Sequence, residues 1–267
     1  MEDSFKHERD FHDEWASSVD PATVDVLGSW TALATPETFW LHQMLGSIEG
    51  CKVLDLGCGL GEGSVFFALN GAVVTASDLS PEMCKITEKV ALIHGVEIET
   101  LVASATDLSS IPDGSFDLVY GANMLHHVEI EQCLREVHRV LKQGGRALFW
   151  DPVQYNPIIN LYRRMASGVR TIDEHPLRMK DVKLVKETFG QTKTKFFWLT
   201  ATLIFVRFYL FDRIPPSEGR YWKLIIDRRN KHRRFLKYAH QIDRFILFIV
   251  RPLRWWCWNV AIMATKK

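Results

Sequence analysis

Short apolar runs alternate with amphipathic stretches through the first half of the chain. Lys52 to Leu56 is a brief apolar run, Ser64 to Leu69 has helical composition, and Ala72 to Ala76 is apolar again. Further strands are expected at Glu97 to Val102, Phe116 to Gly121 and Arg146 to Trp150. Between them, Glu129 to Leu141 carries apolar residues at 130, 133, 134, 137, 140 and 141, the stripe of a helix lying on a sheet, ended by Gly144 and Gly145. Thr35 before Pro36 and Ser80 before Pro81 are start signals for helices running to Leu45 and about His94. Strand and helix in alternation predict an α/β fold with a parallel sheet. After Asp151 the pattern loosens: Asn156 to Ser167 and Lys180 to Phe189 read as helices and Thr192 to Leu199 as a strand.

The informative stretch is Lys52 to Pro81, KVLDLGCGLGEGSVFFALNGAVVTASDLSP. Glycines at 57, 59, 61 and 63 form a tight turn between strand and helix, where backbone can approach a ligand with no Cβ in the way. Asp55 and Asp78 both fall at carboxyl ends of strands, the edge at which open α/β sheets bind ligands. Asp78, about twenty residues past the first glycines, suits a ribose diol. A nucleoside cofactor follows, and a dehydrogenase shares these features. Its G-x-G-x-x-G spacing fails here, however, because Glu62 follows Gly57 and Gly59, and Ser64 follows Gly59 and Gly61. A carboxylate at Asp55 would also repel a pyrophosphate, whereas it suits an ammonium or sulfonium ligand.

With these motifs the sequence resembles the class I S-adenosylmethionine-dependent methyltransferases, over roughly residues 36 to 155. Asp55-Leu-Gly-Cys-Gly-Leu-Gly61 is similar to their cofactor loop, and Asp78-Leu-Ser-Pro81 to their ribose acid and following helix. Ala103 to Leu108 resembles their adenine-binding stretch, Pro112 to Asp117 the turn into the fourth strand, and Leu125 to Val128 the segment after it. Val137 to Gly145 resembles the turn before the fifth strand. The resemblance implies a Rossmann-like, seven-stranded, mostly parallel sheet with helices on both faces and a C-terminal antiparallel hairpin. It implies S-adenosyl-L-methionine as cofactor, held by Asp55, Gly57, Cys58, Gly59 and Gly61 in the loop. Asp78 and Leu79 would take the ribose, Ser104, Ala105 and Thr106 the adenine, and Asn123 the path of the methyl group. Many relatives have Asp where this chain has Ser104, which implies an adenine contact that is either weaker or passed to the backbone at Ala105 and Thr106. The region before residue 36 would be a lid carrying His12 and Trp15, four residues after Phe11 on one helical face.

The hairpin's last strand is expected at Trp255 to Ala264, so residues 200–252 become a helical insertion, with 36–199 the cofactor domain and 253–267 the closing strand. Apolar positions 235, 238, 239, 242, 245, 246 and 249 keep helical spacing there, with Arg233, Arg234, Lys237 and Arg244 between them. Net charge is +1, yet residues 200–254 hold 13 Lys and Arg against 4 Asp and Glu. The longest nearly apolar run, Phe196 to Phe211, is interrupted by Arg207 and falls short of the ~18 residues of a membrane span. The insertion is expected to touch a membrane surface or to wall a hydrophobic acceptor pocket, the plainer alternative being a helical cover or homodimer contact. Nucleic acid is not expected, since the flanks are too apolar for a phosphate groove.

Five cysteines with no C-x-x-C pair, among 267 residues that are 47% hydrophobic, argue against a disulfide framework or zinc site and suit a reducing cytoplasm, with peripheral membrane contact. The charged start MEDSFKHERDFHDEW has no apolar stretch of a signal peptide. Methyl transfer from a sulfonium needs alignment more than covalent catalysis. For an oxygen or nitrogen acceptor a base is wanted, and His126, His127, Asp151 and Tyr155 follow the fourth and fifth strands on the catalytic edge. Arg170, Asp173, Glu174 and His175 form a polar cluster suited to an acceptor head or to an ion-paired loop. The expected activity is methyl transfer to a small, largely hydrophobic acceptor. Another sulfonium-dependent group transfer, a noncatalytic cofactor binder and, least favoured, a nicotinamide enzyme stay open as rivals.

Overall fold

The computed structural model describes residues 2–166, 175–217 and 219–267. Its centre is a seven-stranded sheet of order β3-β2-β1-β4-β5-β7-β6, formed by β1 (Lys52–Leu56), β2 (Val73–Asp78), β3 (Glu99–Val102), β4 (Phe116–Ala122), β5 (Leu141–Pro152), β6 (Gln191–Phe197) and β7 (Asn259–Thr265). The first five strands are parallel, and β7 runs antiparallel between β5 and β6. From β1 the chain builds outward through β2 and β3, then crosses back to add β4. The crevice beyond the carboxyl ends of β1 and β4 is therefore a topological switch point, where such sheets bind ligands.

Strand residues alternate between two cores. Val53, Leu118, Tyr120, Leu148, Ala261 and Met263 face one layer, while Leu54, Leu56, Val119, Phe149, Val260 and Ile262 face the other. The first layer is covered by α2 (Pro36–Leu45), α3 (Glu62–Leu69) and α4 (Pro81–Ile93), through residues such as Leu41, Phe67 and Met83. The second is covered by α5 (Ile130–Val140) and α7 (Met179–Phe189), through Leu134, Val137, Val185 and Phe189. Ser80 caps α4 by accepting from the Met83 amide, with Pro81 in the first turn. Thr35 does not cap α2. Its hydroxyl turns back onto both the amide and the carbonyl of Thr31, leaving Pro36, which has no N–H to satisfy, to start the helix.

Several boundaries differ from the sequence expectation, three of them around the closing hairpin and its approach. α5 ends at Val140 and β5 begins at once, with Gly144 and Gly145 inside the strand, because the amide of Gly144 donates to Lys266 and that of Lys266 to Gly145. β6 stops at Phe197, where Trp198 takes a positive φ of 68°. β7 starts at Asn259 instead of Trp255, since Arg251–Trp256 winds into a 3-10 helix.

Between β6 and β7 lie α8 (Leu203–Leu210), α9 (Tyr221–Asp227) and α10 (Arg233–Ile249). This helical insertion packs on the first layer through Ile204, Phe205, Phe208, Tyr221, Ile225 and Leu236. The buried Asp243 of α10 pins it to the end of β6, accepting from the amides of Leu199 (3.0 Å) and Thr200 (2.7 Å) and from the Thr200 hydroxyl (2.5 Å). α1 (Glu2–Ser17) crosses the carboxyl edge of the sheet, and α6 (Pro157–Met165) follows β5, capped by Asn156. Among the described residues, no helix is long and apolar enough to cross a membrane.

Candidate active site

A cavity of about 620 Å³ opens at the switch point, within the range of cofactor and ligand clefts. Its floor is the glycine turn. Gly57 and Gly59 take positive φ (72° and 54°), and a Cβ on Gly59 would meet nothing within 4 Å, so bare backbone faces open space there. Gly61, at φ 90°, plays a different part. It precedes α3 and presses on Thr87, where a Cβ would come within 2.9 Å of the side chain, and it does not line the cavity.

Asp55 sits at the cavity floor, 2% exposed, with Oδ2 accepting from the Ser64 hydroxyl at 2.6 Å. Burial raises its pKa to about 7, against the lowering hydrogen bond from Ser64. Asp78 uses one carboxylate oxygen for the Gly59 amide (3.0 Å) and the other for the Ser80 amide (2.9 Å), which fixes its plane. Each oxygen keeps a lone-pair direction, and the residue borders the cavity with Leu79. Cys58 is 6% exposed, its Sγ 3.5 Å from the Thr87 hydroxyl, and a hydrogen bond with Cys84 together with burial raises its thiol, so it fills space.

Ser104 and Ala105 border the cavity, whereas Thr106 does not. The Ser104 hydroxyl is 2.8 Å from that of Thr106, so the pair fastens the turn. Asn123 closes β4 in a left-handed conformation (φ 55°) that Asn tolerates better than most residues, its amide donating to the Trp150 carbonyl at 2.7 Å.

The four residues singled out as acid–base candidates separate in space. His127 lines the cavity, its Nδ1 3.0 Å from Glu8 Oε1. His126 lies beneath it, ring centroids 4.0 Å apart, with Nδ1 2.7 Å from Oδ1 of the fully buried Asp151. Asp151 does not border the cavity, and burial pushes its pKa well up. Tyr155 is also outside, its hydroxyl accepting from the Met179 amide at 3.2 Å at the start of α7. Proximity in sequence to the β5 end put Asp151 and Tyr155 on the right edge but not in the chamber. Arg170, Asp173 and Glu174 lie outside the described residues, while His175 borders the cavity.

Two elements roof the site. α1 contributes Glu8, Arg9, His12 and Trp15, and α9 with its flank contributes Trp222, Ile225 and Ile226. They meet where the Arg220 guanidinium lies 4.4 Å from the Trp15 ring centre and 5.6 Å from that of Phe11. Glu8 bridges His12 and His127, 3.0 Å from each. Burial alone would raise its carboxyl, but the two imidazoles outweigh that and hold it well below the usual range. Sequence reasoning missed Glu37, Glu62, Trp198, Trp258 and Asn259, which also line the cavity and come from α2, α3 and the flanks of the C-terminal hairpin.

The groups present fit a nucleoside sulfonium: a buried acid at the floor for an ammonium, backbone without side chains at Gly57 and Gly59, and an oriented diol acceptor at Asp78. Fold and site together resemble those of the class I S-adenosylmethionine-dependent methyltransferases. A family model described as a methyltransferase domain matches residues 54–149. The ubiquinone biosynthesis O-methyltransferase of Xanthomonas euvesicatoria pv. vesicatoria is 40% identical over 111 residues, 41% of this chain and 46% of that protein. Its namesake from Bordetella avium is 34% identical over 119 residues, 44% and 49% of the two chains. The chain thus spans about half the length of the curated relatives it matches. Among solved structures, a geranyl diphosphate C-methyltransferase from Streptomyces coelicolor superposes with a TM-score of 0.58 at 16% identity, covering 91% of this chain and 82% of that one. A geranyl diphosphate methyltransferase solved with its S-adenosylmethionine gives 0.58 at 14% identity, over 88% and 85%. At these identities the likeness speaks for the fold alone.

Proposed function

We propose that the protein transfers a methyl group from S-adenosyl-L-methionine to a small, largely hydrophobic acceptor. The observation that carries this is a single cavity with two chemistries: a cofactor cradle between β1 and β4, and an aromatic wall of Trp150, Trp198, Trp222 and Trp258 beside it. The sulfonium supplies an activated methyl carbon when bound. Asp55 holds the ammonium, the Gly57 and Gly59 backbone lies against the methionine portion, and Asp78 with Leu79 receives the ribose. Ser104 and Ala105 border the adenine, and Asn123 fixes the end of β4 beside the methyl path. Cys58 packs under the loop. α1 acts as a lid, with Glu8 latching His12 to His127 and water excluded by Trp15. His127 is the one of the four acid–base candidates that faces the chamber with no Asp151 couple.

The test is incubation with methyl-labelled cofactor and cell extract. Label should pass into a solvent-extractable small molecule, and Asp78→Asn should lower the yield at least tenfold. Label retained wholly in the cofactor would leave a noncatalytic binder, and label moving as a larger group would leave another transferase.

A second reading concerns the membrane surface. The face of α10 turned away from the core exposes Phe235, Tyr238, Ile242, Phe245 and Ile249, and the end of α8 adds Leu210 and its C-cap Phe211. Arg234, Lys237 and Arg244 share that helix, and each basic side chain near an anionic bilayer contributes ~1 kcal/mol. This supports peripheral contact through the insertion, delivering an apolar acceptor to the cavity. Flotation with vesicles of anionic phospholipid should recover the protein, and Ile242→Glu with Phe245→Glu should abolish recovery without lowering Tm. Equal recovery of both, or a dimer of wild type that the double variant dissociates, would replace the membrane by the homodimer.

A further inference from the structure

Glu37 lies in the first turn of α2, where an acid is unremarkable in sequence. In the fold it is 3% exposed, borders the cavity, and accepts from Asn259 Nδ2 at 2.7 Å. Asn259 opens β7. Because β7 is antiparallel, its first residue pairs with Pro152 at the end of β5, and so stands on the same edge as the cofactor loop. Trp198 and Trp258 line the cavity beside the pair. In the strand order the couple stands on the β5–β7 side of the cavity, away from β2 and Asp78.

Two features go beyond a structural clamp. Among the described residues Glu37 has no ion-pair partner, so a carboxyl is held in a dry chamber without a cation. Asn259 is 4% exposed, and with Nδ2 engaged its Oδ1 is buried without a partner. An orphaned buried acceptor is costly unless a ligand satisfies it. The seat thus offers two acceptor atoms, bounded by indoles, and calls for a hydrogen-bond donor on an apolar body. A neutral hydroxyl meets this at a lower desolvation cost than an ammonium, whose lone pair is in any case occupied by a proton.

Resting on the methyltransferase reading, we propose that Glu37 and Asn259 seat the hydroxyl of the acceptor and that the Glu37 carboxylate takes its proton as the oxygen is methylated. The O–H bond breaks toward Glu37, the O–CH3 bond forms, and the C–S bond breaks with its electron pair left on sulfur. The proton then leaves Glu37 for water as product departs. Burial raises Glu37 to about 7, against hydrogen bonds from Asn259, its own amide and the Trp198 side chain, a poise suited to a base near neutrality. The titratable groups around it agree. Tyr120 on β4 and Cys257 just before β7 are pushed up by burial and stay neutral, and Asp55 and Glu62 are carboxyls across the cavity. On β5, Arg146 donates to the Leu45 carbonyl at the far end of α2.

The test is calorimetric titration of the 267-residue chain saturated with S-adenosylhomocysteine, which engages Asp55 and leaves Glu37 as the group that titrates near neutrality in the seat. The probes are 2-naphthol, 2-methoxynaphthalene and 2-naphthylmethylammonium. Wild type should bind 2-naphthol at least tenfold tighter than the methyl ether at pH 8, and more weakly at pH 6. Glu37→Gln should remove both the preference and the pH dependence while keeping its affinity for S-adenosylhomocysteine. If that variant does not fold, the wild-type preference and pH profile decide alone. Equal binding of naphthol and ether, an unchanged Glu37→Gln profile, or tighter binding of the ammonium probe would overturn the seat and leave the cofactor reading intact. Failure of wild type to bind S-adenosylhomocysteine would instead overturn the methyltransferase reading itself.

Discussion

Asp55 shows how one residue's environment sets its chemistry. An acid ahead of a glycine turn reads in sequence as a partner for a cation, and the fold adds that it is dry, bonded to Ser64 and raised to about 7. The free site therefore carries a partly protonated carboxyl, whereas a bound ammonium requires the anion. Affinity for S-adenosylhomocysteine should rise between pH 6 and pH 8, by up to about tenfold per pH unit below 7, and level off above. Calorimetry across that range checks the sign, and Asp55→Asn should bind weakly with little pH dependence. Affinity that falls with rising pH would contradict the assignment. Asp55 and Asp78 could be read from the sequence because their roles follow from local spacing. Glu37 could not, since nothing near it in the chain distinguishes it from a helix-capping acid, and Asn259 reaches it from 222 positions away.

At the scale of elements, β1 through α5 follow their hydrophobic periods closely, because the central strands β1 and β4 are buried on both faces and α5 on one. The insertion follows a different logic. The period of α10 predicts a helix with one apolar series through 235, 238, 239, 242, 245, 246 and 249, yet most of that series is exposed and the core is met by Leu236, Ala239 and Asp243. Asp243 decides that: its carboxylate seals the amides of Leu199 and Thr200 at the exit of β6, so Leu236 and Ala239 turn inward and Phe245 outward. Asp243→Ala would strand buried donors at about 1–3 kcal/mol each. Urea unfolding should show a loss of at least 2 kcal/mol. A loss under 0.5 kcal/mol would mean that apolar packing alone orients the helix.

For the molecule as a whole, the site is an enclosure made by distant parts of the chain. α1 is tied down at both ends of the chamber, with Glu8 on His127 and Asp13 on the Ser80 hydroxyl. Arg220 from the insertion stacks on its aromatic face. A ligand beneath this roof should stiffen it. Binding of S-adenosylhomocysteine is expected to slow amide hydrogen exchange in residues 8–16 and 221–227, and to leave α7, on the opposite layer, unchanged. Protection confined to the glycine loop would show that α1 and α9 do not close over the ligand.

The α/β class, the strand–turn–helix cradle and the two carboxylates at its ends are legible along the chain, because they rest on interactions between residues at most about twenty positions apart. Tertiary structure alone decided which edge residues enter the chamber. It moved Asp151 and Tyr155 out, kept His127 in, and brought α2 and the start of β7 together around Glu37. The reason is geometric: spacing along a strand fixes which edge a side chain reaches, while the cavity boundary is set by elements packed across the sheet, whose separation along the chain carries no local signal.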